Sequence, residues 1–424
     1  MSAPPTPRPL REAVSEIDHP HRAIAPAVLV GEDQLETHFQ PIVSLRNGTI
    51  FAVEALSRAF EPHTQRLIPP ATLFGIAEEL ELLFDFDRFC RRKALERFAS
   101  LSAEPHAITL NWDVRTLARH AADPEPLARL VDEVGIPRSS VIIEVLESRV
   151  DDLASLVRFS RAYKNEGFLI AIDDYGTGHS TPERLARIEP DIIKIDRALV
   201  HGLSHSRAQL ESCRSVVMLA RRLGALVVAE GIEDEEDVVA AAMIGVDLFQ
   251  GFAFARPGAS IAEVSRFARD NVRRYLPAVR EESRRRAESR RRSRKRHEAS
   301  VTSVIQGIEA LDKHELDENL EFVLDLHPDV EAIYVLDEHG IQLTRTALRE
   351  PPRRALFRAA PPGADQSLKA YFLELSPESP RYVSPPYLST ASGNACVTHS
   401  RYARTRDGLL VVVCCDLSVD VDSM

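Results

Sequence analysis

The sequence contains few cysteines and no long apolar run. Five cysteines are scattered along its 424 residues without a CxxC pair, at Cys90, Cys213, Cys396, Cys414 and Cys415. This pattern argues against a disulfide framework and a zinc site, and it favours a reducing compartment. No stretch approaches the roughly 18 consecutive apolar residues of a membrane-spanning helix. The proline-rich start lacks the apolar core of a secretory signal, so we predict a cytoplasmic protein without a transmembrane segment.

Positive charge is in deficit except in one place. The chain has 53 lysines and arginines against 64 aspartates and glutamates, a net charge of -11. Residues 284–296 nevertheless contain nine basic residues and one acid, Glu288, and subtracting this local +8 leaves -19 for the rest. The acidic remainder argues against a DNA-binding surface covering the whole chain, and we predict no DNA partner. We interpret the basic segment first as a solvated linker, and alternatively as a contact for an anionic membrane or nucleic acid.

The distribution of apolar residues predicts four parts of the chain. Residues 1–30 are rich in proline, arginine and histidine without periodicity, which indicates a flexible tail. Residues 31–257 alternate short apolar runs with amphipathic stretches, which is typical of β/α units with buried parallel strands. Residues 258–311 predict a long connecting helix that includes the basic segment, and Pro277 should kink or interrupt it. Residues 312–424 predict a smaller α+β domain with an antiparallel sheet.

Each predicted strand of residues 31–257 ends in a polar residue. In a (β/α)8 barrel the carboxyl ends of the strands meet at one mouth, so these residues would converge there. They are Glu54, Asn111, Glu144, Asp173, Lys194, Glu230 and Gln250. Polar residues also cap strands where loops begin, which accounts well for one or two positions. Seven in succession, mostly carboxylates and amides, favour a shared site.

The residue types at this mouth indicate a magnesium or manganese site. Oxygen ligands without cysteine or histidine suit Mg²⁺ or Mn²⁺ better than zinc. Three carboxylates and one amide oxygen can hold one divalent ion, and they belong to Glu54, Glu144, Asp173 and Asn111. Because Asp174 follows directly, Asp173 could bridge to a second ion. Two ions about 3.5–4 Å apart suit in-line attack on a phosphodiester.

Two later strand ends would complete the electrostatics of the mouth. Lys194 can orient the attacking water or screen the phosphate, although a lone lysine is more often solvated or ion-paired. Glu230 is the candidate proton acceptor, or the partner that holds Lys194. Directly after the two aspartates, Gly176 and Gly178 permit backbone conformations with positive φ. We interpret this segment either as a tight turn or as a mobile loop that positions the ligands.

Seven motifs resemble those of the EAL-domain cyclic di-GMP phosphodiesterases and occur in the same order. They are EALSR (54–58), LNWD (110–113), IEVLE (143–147), DDYGTGHS (173–180), IKID (193–196), AEGIE (229–233) and QGFAFARP (250–257). The resemblance implies an α/β fold, a modified TIM (β/α)8 barrel with one antiparallel strand. It also implies hydrolysis of one phosphodiester bond of cyclic di-GMP to linear pGpG, with Mg²⁺ or Mn²⁺ as a two-ion cofactor. No GGDEF-type motif is visible, which argues against a cyclase domain in this chain.

The resemblance assigns roles position by position. It implies metal ligands at Glu54, Asn111, Glu144 and Asp173, with Asp174 at the second ion. It implies catalytic positions at Lys194, Glu230, Glu147, Glu233 and Gln250. Lys194 and Glu230 would act on water, and Glu147 would steady the aspartate loop. It implies substrate contacts at Gln40 and at Arg58, whose guanidinium can clamp a phosphate oxygen.

Departures from the family's loop pattern lie next to these positions. Where DDFGTGYSSL is usual, this chain reads DDYGTGHSTP, with replacements at Tyr175, His179, Thr181 and Pro182. His179 and Pro182 could alter loop mobility or dimer contacts, so they bear on rate and regulation more than on competence. The alternative to an active phosphodiesterase is a catalytically silent cyclic di-GMP receptor that signals through protein contacts. Every metal ligand and both water-activating residues are present, so we prefer the enzyme.

The last part of the chain carries several strand signals. Residues 332–344 predict a hairpin, and further strands are expected at residues 381–384, 395–399 and 409–415. This part resembles PAS-like or Cache-like sensory domains of the YkuI C-terminal type. The resemblance implies a sensory domain that controls the barrel and binds an unidentified small ligand.

Candidate pocket residues of this domain are Tyr387, Thr398 and Ser400. They are equally well explained as polar residues on the face of a sheet. Adjacent Cys414 and Cys415 point to alternate faces of a strand, so at least one of them is expected in the core. Pairing of the long helix with its copy would make the protein a homodimer.

Overall fold

The computed structural model describes residues 35–60, 66–100, 107–113, 123–146, 152–177, 181–352 and 356–419. The chain divides into two compact units, one ending at Glu282 and the other beginning at Ser283. The predicted flexible tail, residues 1–30, lies outside the described residues. Within the described ranges, no helix combines the length and the apolar character needed to cross a membrane.

The first unit is built on a closed barrel of eight strands. These are β1 (Leu35–Ser44), β2 (Thr49–Phe60), β4 (Ile108–Trp112), β5 (Val141–Leu146), β6 (Leu169–Tyr175), β7 (Ile192–Ile195), β8 (Leu226–Ala229) and β9 (Leu248–Phe249), and the short β3 (Leu67–Ile68) pairs antiparallel with the end of β2. The order is β1-β9-β8-β7-β6-β5-β4-β2, and β1 pairs with β2 to close the ring. β1 is antiparallel to both neighbours, while the other ring pairings are parallel. The predicted modified TIM barrel is confirmed.

Helices surround this barrel between its strands. They are α1 (Pro70–Glu79), α2 (Leu83–Ala99), α3 (Glu125–Glu133), α4 (Leu153–Asn165), α5 (Pro182–Ile188), α6 (Arg197–Val200), α7 (Arg207–Leu223) and α8 (Glu235–Ile244), with a 3-10 turn at Arg138–Ser140. α7 illustrates why they form. Its N-cap Ser206 accepts a hydrogen bond from the Gln209 N–H at 3.3 Å, and Cys213, Val217 and Ala220 recur on one buried face.

Apolar residues from the eight strand segments form the floor of the barrel. They pack in one buried cluster made of Ile42, Ala52, Ala107, Ile142, Ala171, Ile192, Val228 and Leu248. Side chains alternate between the two faces of a strand, so the residue two positions nearer the mouth points to the same interior. On β1, which runs in the opposite direction, that residue comes two positions earlier in the sequence. Strand register therefore determines which side chains form the layer above the floor.

A single helix of 49 residues, α9 (Ile261–Glu309), contains the boundary between the units. Its first part buries Ile261 in the core of the first unit, and its last part buries Val304 in the core of the second. The predicted long connecting helix is thus present. Of the two effects expected of Pro277, interruption does not occur, since the helix continues through this residue. A proline inside a helix costs about 3 kcal/mol, and the burial of the neighbouring Val272 and Tyr275 in the core of the first unit offsets this cost.

The second unit is an antiparallel sheet with two further helices. Its elements are β10 (Val330–Leu336), β11 (Ala347–Leu348), β12 (Arg381–Val383), β13 (Tyr387–Leu388), β14 (Ala395–Arg404), β15 (Leu410–Ser418), α10 (Leu316–Asp325), α11 (Ala370–Leu373) and a 3-10 turn at Lys313–Glu315. The sheet order is β11-β10-β15-β14-β12, with β13 paired to β14. The predicted smaller α+β fold is confirmed.

The predicted hairpin of this unit is wrong in its second strand. β10 forms as expected, but Ile341 and Gln342 make only isolated bridges, and residues 341–344 are not a strand among the described elements. The buried Gln342 Nε2 donates to the backbone oxygens of Thr344 at 2.9 Å and Ala360 at 3.0 Å. The predicted turn itself forms, because Leu336 and Gln342 make an antiparallel bridge and the Leu343 N–H donates to the Val335 oxygen at 2.8 Å. The extended strand partners of β10 are β11 and β15.

Two of the three candidate pocket residues of this unit, Tyr387 on β13 and Thr398 on β14, are hydrogen-bonded to each other. The Tyr387 hydroxyl and Thr398 Oγ1 are 2.6 Å apart. Ser400 Oγ is buried and has no hydrogen-bond partner among the described residues. Cys414 and Cys415 are both buried and lie in different apolar clusters, as expected for opposite faces of β15.

Candidate active site

Most of the predicted site residues form the layer directly above the apolar floor of the barrel. Six stand two positions beyond a floor residue, namely Glu54, Glu144, Asp173, Lys194, Glu230 and Gln250. On the antiparallel β1 the equivalent residue is Gln40, two positions before Ile42. On β4, Thr109 takes the place in this layer, and Asn111 lies two positions further out. Strand register thus joins residues as distant in sequence as Glu54 and Gln250, 196 positions apart.

Lys194 lies at the centre of this layer and is 1% exposed. Its Nζ is 2.5 Å from Glu230 Oε1, 2.9 Å from Glu144 Oε1, 3.4 Å from Asp173 Oδ1 and 3.6 Å from Glu54 Oε2. One ammonium cannot neutralise four carboxylates, so three negative charges remain when all are ionised. Buried charge of one sign is costly unless protons or a bound cation compensate it.

Amide side chains hold Glu54 from both sides. Asn111 Nδ2 donates to Glu54 Oε1 at 2.8 Å, and Gln250 Nε2 donates to Glu54 Oε2 at 2.6 Å. Gln250 Nε2 also lies 3.4 Å from Gln40 Oε1, while Gln40 Nε2 donates to the backbone oxygen of Ala255 at 3.3 Å. Because the amide nitrogen of Asn111 donates its hydrogen bond to Glu54, the amide oxygen is the atom of this side chain that can contact a cation.

The pKa values reflect this crowding of charge. Burial raises the pKa of Glu54, but Lys194 and the two amide hydrogen bonds outweigh it, so the pKa lies below its ordinary value. Burial raises the pKa of Glu144 to about 8, against the opposing effect of Lys194. Burial also raises the pKa of Glu230 well above its usual range. Burial alone would lower the pKa of Lys194, but the surrounding carboxylates raise it well above normal. The site therefore holds protons when no divalent ion is bound.

Asp173 and Asp174 lie in the same carboxylate group although adjacent strand residues normally point to opposite faces. The pairing of β6 with β7 is irregular between Ile172 and Tyr175. Asp174 adopts left-handed backbone with φ of 55°, which is uncommon outside glycine and costs on the order of 1 kcal/mol. One oxygen from each aspartate and from Glu230 lies within 4.8 Å of the others. The local irregularity thus assembles a three-carboxylate group.

The donor set of the mouth fits a hard divalent cation. Glu144 Oε2 is buried and accepts no hydrogen bond from the described residues, and Asp173 Oδ1 has only the Lys194 ammonium, 3.4 Å away. Buried carboxylate oxygens in native proteins have partners, so the oxygen of Glu144 in particular calls for a cation. The described residues lining the mouth include neither cysteine nor histidine. Carboxylate and amide oxygens of this kind suit Mg²⁺, Mn²⁺ or Ca²⁺.

Two cavities meet at Glu54. A cavity of about 320 Å³ is lined by Lys194 and by three of the four carboxylates around it, those of Glu54, Asp173 and Glu230. A second cavity of about 630 Å³ extends toward α1 and α2 and is lined by Arg58 and Asn111. Burial lowers the pKa of the Arg58 guanidinium, which the charge of Glu54 partly offsets. The carboxylate layer therefore borders two spaces, a shape that suits an elongated ligand.

One further sequence-predicted position, Glu233, lies outside the Lys194 cluster. Glu233 lines the smaller cavity, but its Oε1 is 3.1 Å from Arg197 Nη2 rather than beside the lysine. Glu147 lies outside the described residues. The structure thus brings together the strand-end residues and leaves Glu233 at the rim.

The aspartate loop contains the departures from the family pattern. Tyr175 is buried at the end of β6. Gly176 has φ of +112°, and a Cβ there would lie 2.2 Å from Leu199 Cδ1, so a side chain would strain the backbone and force Leu199 to shift. Thr181 accepts a hydrogen bond from the Arg184 N–H as N-cap of α5, and Pro182 takes its first position. Both are favoured residues at a helix start, so this end of the loop is locally well specified. His179 lies outside the described residues.

Sequence reasoning missed three features of the site. Thr109 belongs to the layer, and counting two positions from Ala107 would have found it. Asp87 and Arg91 form a buried ion pair in the larger cavity, and their i,i+4 spacing on α2 is readable from sequence. The Arg91 guanidinium also lies 3.7 Å from the Trp112 ring centroid. Phe252 belongs to the QGFAFARP motif and lines the smaller cavity. The exposure of its ring depends on tertiary structure, so the sequence alone did not single it out.

Comparison with known proteins identifies the family of the barrel. Residues 21–257 match the family described as EAL domain. Cyclic di-GMP phosphodiesterase NbdA of Pseudomonas aeruginosa is 29% identical over 230 residues, which are 53% of this chain and 29% of NbdA. The chain therefore spans less than a third of the length of that relative.

Solved structures extend the comparison. Bacillus subtilis YkuI, an EAL-domain protein in complex with cyclic di-GMP and calcium, is 23% identical with a TM-score of 0.71, covering 93% of this chain and 99% of YkuI. This likeness concerns the fold and extends into both units. Klebsiella pneumoniae BlrP1, in a calcium and cyclic di-GMP complex at pH 8.0, is 30% identical with a TM-score of 0.50, covering 54% of this chain and 57% of BlrP1. The chain belongs to the EAL domain family.

Proposed function

We propose that this chain is a divalent-metal-dependent phosphodiesterase that hydrolyses one phosphodiester bond of cyclic di-GMP to give linear pGpG. The observation that carries the proposal is the set of four carboxylates around the buried Lys194 at the barrel mouth. Family membership supports it, as does the activity named for NbdA. The BlrP1 complex supports the combination of a divalent ion with this nucleotide.

We infer that two ions, Mg²⁺ or Mn²⁺, would be held at the mouth. The ligands would be Glu54, Asn111, Glu144 and Asp173, with Asp174 at the second ion. When bound, such ions supply Lewis-acid polarisation of the phosphate and a lower pKa for the attacking water. Because the pKa of Glu144 is raised to about 8, cation binding must displace a proton, and affinity should rise with pH.

The remaining residues of the layer have distinct roles in this proposal. Glu230 would accept a proton from the attacking water, and Lys194, 2.5 Å away, would orient it and attract the phosphate. Gln250 would fix the orientation of Glu54 through its 2.6 Å hydrogen bond. Glu147 would steady the aspartate loop, as the family resemblance implies.

Substrate contacts follow from the two cavities. Arg58 would clamp a phosphate oxygen from the larger cavity, and Gln40 would contact the nucleotide from the smaller one. Glu233, paired with Arg197 at the rim, would keep that cation facing the same space. An extended dinucleotide would then place its central phosphates beside Glu54, which borders both cavities.

The test of this proposal uses the purified full chain with cyclic di-GMP and either Mg²⁺ or Mn²⁺, following pGpG by chromatography. We expect turnover that EDTA abolishes. Glu54→Ala should lower kcat at least about 100-fold because several kcal/mol of electrostatic stabilisation are lost with a ligand. Glu36→Ala is the matched control, since this exposed glutamate on β1 faces only His38. Equal activity of Glu54→Ala and wild type would contradict the metal assignment.

The same assay distinguishes the enzyme from the alternative, a catalytically silent receptor. A catalytically silent receptor would bind cyclic di-GMP but show no turnover with either ion. Isothermal titration of the wild-type chain with cyclic di-GMP separates the two. Binding without turnover would replace the enzyme by the receptor.

We further infer that the second unit is a PAS-like or Cache-like sensory domain that regulates the barrel and binds a small ligand. Its antiparallel sheet, and the likeness of fold to YkuI over both units, support this assignment. We also infer a homodimer in the cytoplasm with no DNA partner.

A further inference from the structure

Phe252 is the exposed member of an otherwise buried run. It follows Gln250 and Gly251 at the end of β9, and the next three residues, Ala253, Phe254 and Ala255, are at most 7% exposed. Phe252 is 45% exposed and lines the cavity of about 320 Å³ that is also lined by Lys194, Glu54, Asp173 and Glu230. An aromatic ring left open beside a polar cavity points to a ligand with an apolar flat face.

The backbone on both sides of Phe252 is fixed to Ile232, in the segment that follows β8. Gly251 has φ of +155°, and a Cβ there would lie 2.1 Å from the backbone oxygen of Ile232, so only glycine fits. The Ile232 N–H donates to the Gln250 oxygen at 3.2 Å, and the Ala253 N–H donates to the Ile232 oxygen at 3.0 Å. Because Gln250 also holds Glu54, the position of Phe252 is set relative to the carboxylate layer.

A guanidinium lies against this ring. The central carbon of Arg256 is 4.0 Å from the Phe252 ring centroid, which is cation–π geometry. Arg256 therefore supports the ring from one side and adds positive charge near a cavity that is otherwise rich in carboxylates. Arg197, beside Glu233, supplies a second cation at the same cavity. Planar aromatic surface next to cations suits a nucleobase attached to an anionic phosphate.

We propose that Phe252, supported by Arg256, is the platform on which one nucleobase of the substrate stacks. This rests on the proposed function, since it specifies how the dinucleotide sits in the site. Stacking on Phe252 would anchor one half of the molecule in the smaller cavity. The phosphates would then lie beside Glu54 and the other half would extend toward Arg58. Phe252 is a substrate-binding residue in this arrangement and takes no part in proton transfer.

Phe252→Ala tests the platform through the separation of KM from kcat. Base–aromatic stacking is worth enough that its loss should raise KM for cyclic di-GMP about 5- to 100-fold. The change in kcat should stay within about threefold because the reacting groups are untouched. Phe252→Trp should restore KM to within about threefold of wild type, since a larger ring still stacks. Phe267→Ala is the matched control, because Phe267 is 49% exposed and faces Arg266 on α9, away from the lining of the cavity.

A spectroscopic measurement gives a readout independent of turnover. The chain has one tryptophan, Trp112, so Phe252→Trp adds a second fluorophore at the platform. Cyclic di-GMP added in EDTA should quench this variant more than wild type, because a stacked guanine quenches indole emission. Equal quenching in both proteins would overturn the platform.

The outcomes separate this proposal from the proposed function. Absence of turnover in wild type, with binding retained, would overturn the enzyme while the quenching experiment still tests the platform. Turnover in wild type with an unchanged KM in Phe252→Ala would overturn the platform alone. A loss of kcat that Phe252→Trp does not rescue would also overturn it, since that result indicates a structural role. Absence of both binding and turnover in wild type would overturn both.

Discussion

Asp416 is a buried carboxylate in the middle of β15 whose hydrogen bonds come from hydroxyl groups. Thr398 Oγ1 donates to its Oδ1 at 2.7 Å, and Ser389 Oγ donates to its Oδ2 at 3.3 Å. Asp416 is 2% exposed, and no cation within ion-pair distance is found among the described residues. Burial raises its pKa to about 6, and nearby Glu331 adds to the effect. The folded state therefore binds a proton on Asp416 more tightly than the unfolded chain does.

Asp416→Asn should stabilise the second unit at pH 7.5. Because the folded state binds this proton more tightly, protonation stabilises it fully below pH 3.8, and this stabilisation is lost as the pH rises toward 6. At neutral pH the buried, ionised carboxylate therefore destabilises the second unit. A shift of about two units corresponds to at most about 3 kcal/mol, so we expect a gain of about 1–3 kcal/mol. The gain should vanish near pH 4. Hydrogen exchange of β14 and β15 as a function of pH measures it.

The control for this substitution is an exposed aspartate. Asp365 accepts a hydrogen bond from the Ser367 N–H, and its pKa is lowered by that residue. Asp365→Asn should therefore give no gain at pH 7.5. A loss of stability in Asp416→Asn at pH 7.5 would mean that a cation compensates the carboxylate.

At the scale of elements, α9 contains a segment whose charges repel one another. The nine basic residues of 284–296 are spread around the whole circumference, since successive residues turn by about 100°. Some are compensated: Arg292 lies 3.5 Å from Glu288, and Arg296 lies 3.3 Å from Asp329. Arg290 instead has arginines at both i,i+4 positions, Arg286 and Arg294. Each like-charge pair at this spacing weakens a helix by about 0.2–0.5 kcal/mol.

Arg290→Glu should stabilise this segment of α9. The change replaces two repulsive pairs by two attractive ones, with an expected gain of about 1–2 kcal/mol in local stability. Hydrogen exchange of residues 283–297 should slow, and 0.5 M NaCl should reduce the difference. Arg129→Glu on α3 is the control of opposite sign, because Arg129 already pairs with Glu125. Faster exchange in Arg290→Glu would show that the segment needs its charge for a contact with an anion.

At the scale of the whole molecule, the sequence predicts the barrel and most of its site because both follow from repeated local patterns. Apolar strands that each end in a polar residue place those residues at one mouth, as Glu144 and Lys194 show. The antiparallel course of β1 and the place of Gln40 came from the family resemblance, since periodicity carries no strand direction. The left-handed backbone of Asp174 and the open ring of Phe252 depend on tertiary contacts and could not be read from the sequence.

The two units have separate apolar cores, and the carboxylates around Lys194 all belong to the first unit. Divalent ions should therefore stabilise one unit selectively. In calorimetry of the full chain we expect two transitions, and Mn²⁺ should raise that of the barrel. A cation at 100 times its dissociation constant adds about 2.7 kcal/mol, or about 5–10 °C for a unit of this size. The transition of the second unit should move by less than about 1 °C.

The effect of Mn²⁺ on the barrel transition should also depend on pH and on the carboxylate of Asp173. The Mn²⁺ shift should be larger at pH 8 than at pH 6, because protons on Glu144 compete with the cation at the lower pH. Asp173→Asn should remove most of the shift and raise the barrel transition in EDTA, since one repelling charge is gone. Asp365→Asn, in the second unit, should leave both effects unchanged. Equal shifts of the two transitions would show that the ion acts on the whole chain, and a full shift in Asp173→Asn would exclude this aspartate as a ligand.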